Sequence, residues 1–213
     1  MPISNASKIK MLPRSRVVVD TSIFVNPDTQ QLFGGDAGAA IHKVITLAGR
    51  AGLELYMPMS IFRELSDFAP AEELKSLRTR AVVRAPDLYN LQVPAAIFHM
   101  FVRELRQRVN KGLHIAEKAI QSENLPENIR WVRQHYREAL RTGIIDSVED
   151  LEVVFLAKEV GGVILTADQG IANMAGELGI EVFMAEEFLS LLADTAESEN
   201  NAQNTNDDGI RNI

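Results

Sequence analysis

Four aspartates in this 213-residue chain have the residue type and the positions that metal-assisted chemistry requires. Asp20 and Asp168 each end a short apolar run that is typical of a buried strand. Asp146 and Asp150 are four residues apart in a segment with helical character, so we expect them on one helix face. Two unit charges about 4 Å apart repel by about 4 kcal/mol at an effective dielectric constant of 20, so such a cluster favours a bound cation.

The chemistry that these carboxylates predict is metal-assisted hydrolysis. Hard divalent ions such as Mg²⁺ or Mn²⁺ prefer oxygen ligands, and they retain water that can become a nucleophile. We therefore expect Asp20, Asp146, Asp150 and Asp168 to hold Mg²⁺ or Mn²⁺ and to hydrolyse a phosphodiester. Glu64 is a fifth catalytic candidate.

Most of these acidic residues also have a purely structural interpretation. Asp146 and Glu149 have the spacing of an aspartate-led helix capping box. Asp168 is suited to begin a turn. Asp150 and Glu64 are each compatible with a solvent-facing helix position. Convergence of all of them at one place is what separates the two interpretations.

The segments that must position these residues alternate between strand and helix, which predicts an α/β fold with a parallel sheet. The carboxyl ends of parallel strands lie at one edge of the sheet, where ligands bind. This places Asp20 and Asp168 together. We predict strands at 17–22, 53–58, 81–86, 163–168 and 180–185, and helices at 39–51, 60–68, 146–160 and 169–178.

The middle of the chain has a different pattern. Apolar residues recur at three- and four-residue spacing after Pro94 and again after Pro126, which predicts two helices. We expect a helical hairpin inserted at about 94–142. The glycine-containing stretch "GGDAGAAIHK" at 34–43 lacks a phosphate-loop pattern, and we expect a flexible loop there.

Charge is distributed unevenly along the chain. The net charge is −7, yet residues 71–142 contain 13 Lys and Arg against 8 Asp and Glu. A basic segment in an acidic protein favours a nucleic-acid partner, although for any single arginine a solvated helix face is the better interpretation. The RNA-binding candidates are Arg78, Arg80, Arg103, Arg106, Arg108, Lys111, Arg130, Arg133, Arg137 and Arg141.

Composition bounds the domain organisation and the compartment. We expect a basic N-terminal lead-in at 1–16, one nuclease-like domain at 17–193 and a disordered acidic tail at 194–213. The chain has no cysteine, which excludes thiolate chemistry and suits a reducing cytoplasm. The apolar runs are shorter than the roughly 20 residues that cross a bilayer, so we expect a cytoplasmic protein with no membrane partner.

The pattern resembles the PIN-domain nucleases, in which Asp-Thr-Ser follows the first strand, a glutamate lies mid-chain, and an acidic helix precedes a strand ending in "LTAD". Within that superfamily, the opening "VVVDTSIFVNP", the helical insertion and the block "DSVEDLEVVFLAKEVGGVILTADQGI" resemble the small RNA-free ribonuclease P family known as HARP. The resemblance implies a PIN-like parallel sheet flanked by helices, with the hairpin inserted.

The resemblance also implies an activity. It is the removal of the 5′ leader from precursor tRNA, with metal ions and no RNA subunit, and with the family's motif aspartates at Asp20, Asp146, Asp150 and Asp168. It further implies homo-oligomers formed through the inserted hairpin. Two alternatives remain open at this stage. One is another PIN-type ribonuclease of the toxin class, and the other is a non-catalytic RNA-binding partner of an RNA ligase.

Overall fold

A computed structural model describes residues 16–121, 125–141 and 147–190 of the chain. Its centre is a five-stranded sheet in which every pairing is parallel. The spatial order of the strands is β3-β2-β1-β4-β5. The strands are β1 Arg16–Val19, β2 Glu54–Met57, β3 Ala81–Val83, β4 Val163–Leu165 and β5 Val182–Phe183.

Helices connect and cover the strands, as the alternating pattern predicts. The described part of the chain is therefore an α/β fold, a parallel sheet flanked by helices with a helical hairpin inserted. Residues 185–190 are also helical. The other helices are α1 Ser22–Val25, α2 Pro27–Phe33, α3 Ala37–Arg50, α4 Met59–Leu65, α5 Ala71–Arg80, α6 Ala95–Ile120, α7 Leu125–Arg141, α8 Val148–Val160 and α9 Gln169–Glu177.

The central strand β1 explains why this sheet is buried on both faces. Val17, Val18 and Val19 are each at most 1% exposed, and β1 pairs with β2 on one side and β4 on the other. A continuous run of β-branched residues suits such a strand, because neither face meets water. The chain extends the sheet from β1 towards β3 and then returns to the other side of β1 as β4. The order of strands thus reverses between β1 and β4, where parallel α/β sheets place their ligand sites.

Helix α8 lies against the sheet as the main covering element. Val153, Val154, Leu156 and Ala157 are fully buried, so the apolar surface of this helix is not confined to one stripe. The helix ends at Gly161, whose φ of 61° is a left-handed conformation that glycine adopts without strain. Because the helix ends at Gly161, the chain can turn there and begin β4 at Val163.

The inserted hairpin consists of α6 and α7, and it lies largely outside the core. Near the start of α6, Ile97 and Met100 join the main hydrophobic core, whereas most other apolar side chains of this helix are exposed. Within the described residues, no helix is long and apolar enough to cross a membrane.

Several expectations from the sequence require correction. The stretch 34–43 is mostly helix rather than loop, because Asp36 accepts a hydrogen bond from the Ala39 amide and caps α3, which begins at Ala37. The sequence patterns also did not reveal α1, α2 and α5. Arg16, which we placed in the lead-in, is the first residue of β1. Residues 1–15 and 191–213, which contain the rest of the predicted lead-in and the predicted tail, lie outside the described residues.

We expect Gly162→Ala to destabilise the fold by about 1–3 kcal/mol, because the junction of α8 and β4 has no room for a side chain. A Cβ atom at this position would lie 2.4 Å from the backbone oxygen of Arg16 in β1. The matched control is Gly176→Ala in α9, where no heavy atom lies within 4 Å of an added Cβ. This control should stabilise the helix by up to about 1 kcal/mol. Urea unfolding of both variants measures the difference, and equal midpoints would contradict the prediction.

Candidate active site

The candidate site lies where β1 and β4 end side by side. Val19 of β1 is paired with Leu165 of β4, and the Asp20 amide donates to the Leu165 carbonyl at 3.1 Å. Asp20 begins the turn after β1, and Asp168 comes three residues after the end of β4. The sheet topology therefore brings these two aspartates to one edge, as the sequence predicted.

Asp20 is a buried carboxylate that is held by hydroxyl groups. It is 5% exposed, and burial raises its pKa above the ordinary value. One carboxylate oxygen, Oδ2, accepts hydrogen bonds from the Ser22 hydroxyl at 2.5 Å, the Ser22 amide at 3.2 Å and the fully buried Thr166 hydroxyl at 2.9 Å. These donors favour the ionised form and oppose the effect of burial. The carboxylate is thereby fixed in one orientation.

The same two hydroxyl groups also fix the turn after β4. The Ser22 oxygen accepts from the Ala167 amide at 2.9 Å, and the Thr166 hydroxyl oxygen accepts from the Asp168 amide at 2.9 Å. Ser22 and Thr166 therefore connect Asp20 to the backbone that carries Asp168. We did not identify Thr166 from the sequence. The signal for it was a hydroxyl residue two positions before an aspartate at a strand end.

Asp168 lies at the N-terminus of α9. Its Oδ1 atom accepts from the amides of Gly170 at 2.6 Å and Ile171 at 3.1 Å, so it is the N-cap of this helix. The structural interpretation of Asp168 is thus confirmed. It does not compete with a role in ligand binding, because these two bonds use Oδ1 and not Oδ2.

Asp150 lies in the first turn of a second helix, three residues after the N-cap. The capping box of α8 pairs Ser147, the N-cap, with Asp150, so our assignment of the box to Asp146 and Glu149 was wrong. Helix α8 begins at Val148, two residues after Asp146 in the sequence. Asp146 itself lies outside the described residues.

The electrostatics of Asp150 show that the carboxylates converge. Its pKa is raised to about 6, first by burial and then by the negative charges of Asp168 and Asp20. The hydrogen bonds from Ser147 act in the opposite direction and do not cancel the rise. The structure thus brings three of the predicted aspartates within range of one another's charge.

Glu64 joins this group from the helix after β2. Its Oε2 atom accepts from the Thr21 hydroxyl at 3.1 Å, and Thr21 is the neighbour of Asp20 in the chain. The side chain also lines an open cleft of about 580 Å³ between α4 and α8. The residues lining this cleft are Ser60, Arg63, Glu64, Asp67, Ser147, Glu149 and Asp150.

The donor set fits a hard divalent cation held in an open site. Within the described residues, no group of three or more acidic, histidine or cysteine side chains is close enough together to hold a metal ion. Mg²⁺ does not require such a group, because it usually binds one or two carboxylates and completes its shell with water and substrate phosphates. Burial raises the pKa of Asp150 most, and the charges of Asp168 and Asp20 raise it further, so a bound cation would favour its ionised form.

The predicted RNA-binding residues belong to other helices than these carboxylates. Most of them are exposed on α6 and α7, whereas Arg78 and Arg80 are exposed on α5. Arg108 differs, because its side chain is 18% exposed and pairs with Glu104 at 3.7 Å. The side chain of Arg141 is outside the described part. Five of the remaining arginines line two open grooves. One groove, of about 440 Å³, lies on α6 and is lined by Arg103 and Arg106. The other, of about 470 Å³, lies on α7 and is lined by Arg130, Arg133 and Arg137.

Comparison with known proteins identifies the family. Residues 16–197 match the model of the PINc domain ribonuclease family. The RNA-free ribonuclease P of Thermodesulfovibrio yellowstonii is 40% identical over 184 residues, which cover 84% of this chain and 94% of that protein. The RNA-free ribonucleases P of Pyrococcus horikoshii and Pyrococcus furiosus are 38% and 37% identical, over 85% and 86% of this chain and 93% and 97% of theirs. The chain therefore belongs to the RNA-free ribonuclease P family of PINc domain ribonucleases.

Proposed function

We propose that this endoribonuclease removes the 5′ leader of precursor tRNA in the cytoplasm without an RNA subunit. The observation that carries the proposal is the convergence of Asp20, Asp150 and Asp168 at the reversal point of the sheet, in a chain whose relatives are named RNA-free ribonuclease P. PIN nucleases generally depend on a divalent metal ion, and the carboxylate set suits one. The absence of cysteine is consistent with a reducing compartment.

Asp20, Asp150 and Asp168 would hold Mg²⁺ or Mn²⁺, with Asp146 as a fourth ligand and Glu64 at the rim of the cleft. A divalent ion in this position supplies Lewis acidity and a water molecule of lowered pKa. The protein keeps the ligands in place through Ser22 and Thr166, whose hydroxyl groups orient Asp20. Helix capping fixes the other two carboxylates.

The reaction that suits this site is hydrolysis by water rather than attack by a side chain. The chain has no cysteine, and the hydroxyl groups of Thr21 and Ser22 donate to Glu64 and Asp20. Water would attack the phosphorus atom in line, the bond from phosphorus to the leader's 3′ oxygen would break, and that oxygen would take up a proton. The products are a leader with a 3′ hydroxyl group and a tRNA with a 5′ phosphate.

The basic surfaces of the hairpin would bind the tRNA body. Arg103 and Arg106 on α6 and Arg130, Arg133 and Arg137 on α7 are exposed, as phosphate-binding residues must be. Contacts of this type determine affinity and position, while the shape of the folded RNA determines selectivity. These residues are on the hairpin and do not line the acidic cleft, so substrate binding and cleavage would involve different elements.

The hairpin would also mediate self-association with a second copy of the chain. Exposed apolar residues recur along α6 at helical spacing, and a contiguous apolar stripe of this kind is uncommon on a monomer. In a closed symmetric oligomer, the stripe of one subunit contacts the same surface of another. Its members are Phe98, Phe101, Val102, Leu105, Val109 and Leu113.

Asp150→Asn and Asp168→Asn should each reduce cleavage of precursor tRNA by about 100-fold or more, because each removes a negative charge that a cation requires. Both variants should fold, because the amide oxygen can still accept the capping bonds from Ser147 or Gly170. Asp36→Asn is the matched control, since Asp36 caps α3 outside the cleft. Cleavage is measured with Mg²⁺ and with EDTA, and the product's 5′ end is mapped. Turnover near that of the wild type in either variant, or in EDTA, would contradict the proposal.

The stability of the metal-free protein should fall as pH rises from about 4 to 7, through the contribution of Asp150. With a pKa of about 6 in the folded state against 3.8 in the unfolded chain, the folded state binds more protons in this range. The free energy of unfolding therefore decreases as pH increases. Asp150→Asn should be more stable than the wild type at pH 7.5 in EDTA, and this difference should disappear near pH 4.

The same carboxylates provide a test of metal binding that does not depend on activity. Mg²⁺ at 100 times its dissociation constant should raise the free energy of unfolding of the wild type by about 2.7 kcal/mol, and that of Asp150→Asn by less. A pH-independent difference between the two proteins, or an equal Mg²⁺ effect on both, would argue against a cation site at Asp150.

Replacing Phe101 and Leu105 together with glutamine should reduce the particle mass measured by light scattering. Both side chains are exposed on α6, so the change removes apolar surface without opening the core, and glutamine is a good helix former. Phe68→Gln is the matched control, because Phe68 is 59% exposed outside the hairpin. An unchanged mass in the double variant would exclude this part of the stripe as the interface.

A further inference from the structure

Arg63 is a cation in the acidic cleft that the proposed mechanism does not use. It belongs to α4, precedes Glu64 in the chain, and lines the cleft with Asp150. Among the described residues lining this cleft, it is the one basic side chain, whereas Glu64, Asp67, Glu149 and Asp150 are acidic. Its position therefore differs from that of the hairpin arginines, which lie on other surfaces.

The guanidinium group of Arg63 is exposed and makes no hydrogen bond or ion pair with the part of the chain that the structure describes. Two arginines of the domain differ from it in this respect, since Arg16 pairs with Glu54 and Arg84 pairs with Glu159. Arg63 thus keeps its donors available although acidic residues line the same cleft. A planar guanidinium group with free donors is suited to bind a phosphate through two parallel hydrogen bonds.

The cleft needs such a group because its own charge opposes the substrate. An RNA strand that brings its scissile phosphate to the three aspartates also brings the neighbouring phosphates into the field of the acidic residues lining the cleft. Glu64 contacts Thr21 beside Asp20, so α4 is adjacent to the turn that carries the buried carboxylate. Arg63 is next to Glu64 on α4, so an RNA strand bound at the aspartates would pass within its reach.

We propose that Arg63 binds a phosphate of the RNA strand next to the scissile one and thereby positions the strand across the carboxylates. The inference rests on the proposed function, since it takes RNA as the substrate of this cleft. In this role Arg63 is a positioning residue and takes no part in bond breaking. Its contact is made in the bound substrate and is retained in the transition state, so its loss affects KM rather than kcat.

The first experiment compares single variants in steady-state cleavage of precursor tRNA. Arg63→Ala should raise KM about tenfold with kcat within twofold of the wild type, because a charged phosphate contact is lost. Arg63→Lys should fall between the two, because lysine keeps the charge and loses the two-bond geometry. The matched control is Arg50→Ala, which removes an exposed arginine at the end of α3, outside the cleft, and should change neither constant.

The second experiment identifies the phosphate. Each phosphate flanking the cleavage site is replaced in turn with an uncharged methylphosphonate. At one position, the methylphosphonate should weaken RNA binding by the wild type about tenfold. The same substitution should not weaken binding by Arg63→Ala, because this variant already lacks the arginine that contacts the phosphate. Additive losses at every position would overturn the proposal. The proposal would also be overturned if Arg63→Ala had an unchanged KM and required less Mg²⁺ for cleavage. In that case Arg63 would only reduce the negative potential of the carboxylates.

The two proposals can fail separately. Dissociation constants are measured in EDTA, where no cleavage occurs, so the methylphosphonate comparison decides the role of Arg63 even if the wild type does not cleave precursor tRNA. Cleavage by the wild type in Mg²⁺ tests the proposed function alone. Arg63→Ala should also reduce the slope of log affinity against log salt by about 0.7, the value for one lost contact to a single strand. A full slope in the variant would contradict the contact.

Discussion

The burial of the Asp20 carboxylate is the constraint on which the rest of the site depends. A carboxylate that is 5% exposed at the end of an apolar strand is stable only if hydrogen bonds or a cation compensate the loss of water. Ser22 and Thr166 supply the hydrogen bonds, and each also binds the backbone of the turn after β4. The need to compensate one buried charge thus joins the two turns that bring the aspartates together.

Two helix N-termini stabilise the other two carboxylates of the site. Asp150 is the capping-box partner of Ser147 in the first turn of α8, and Asp168 is the N-cap of α9, so both carboxylates lie where unpaired backbone amides and the helix dipole favour negative charge. Burial and, after it, the charges of Asp168 and Asp20 nevertheless raise the pKa of Asp150 to about 6. Capping and ligand binding are therefore compatible roles of the same residues. Hydrogen bonds at the helix N-termini therefore hold these carboxylates in place although they repel one another.

The distribution of charge explains how an acidic nuclease can bind an acidic substrate. The overall charge is −7, and the acidic residues of the cleft oppose RNA at the place where it must approach most closely. The exposed arginines of α6 and α7 lie on a separate element, so in the proposed function affinity is obtained at a distance from the repulsion. In the proposed role of Arg63, a single cation then aligns the strand within the cleft.

The sequence by itself determined the parallel α/β fold, the inserted hairpin and the family, because these depend on periodic apolar patterns and on motifs that are local in the chain. It also predicted that Asp20 and Asp168 lie at the same edge of the sheet. Only the tertiary structure decided that Thr166 fixes Asp20 and that Arg63 lines a cleft with Asp150. The physical reason is that hydrogen bonding and burial depend on neighbours distant in sequence, and Thr166 lies 146 residues from the carboxylate that it orients.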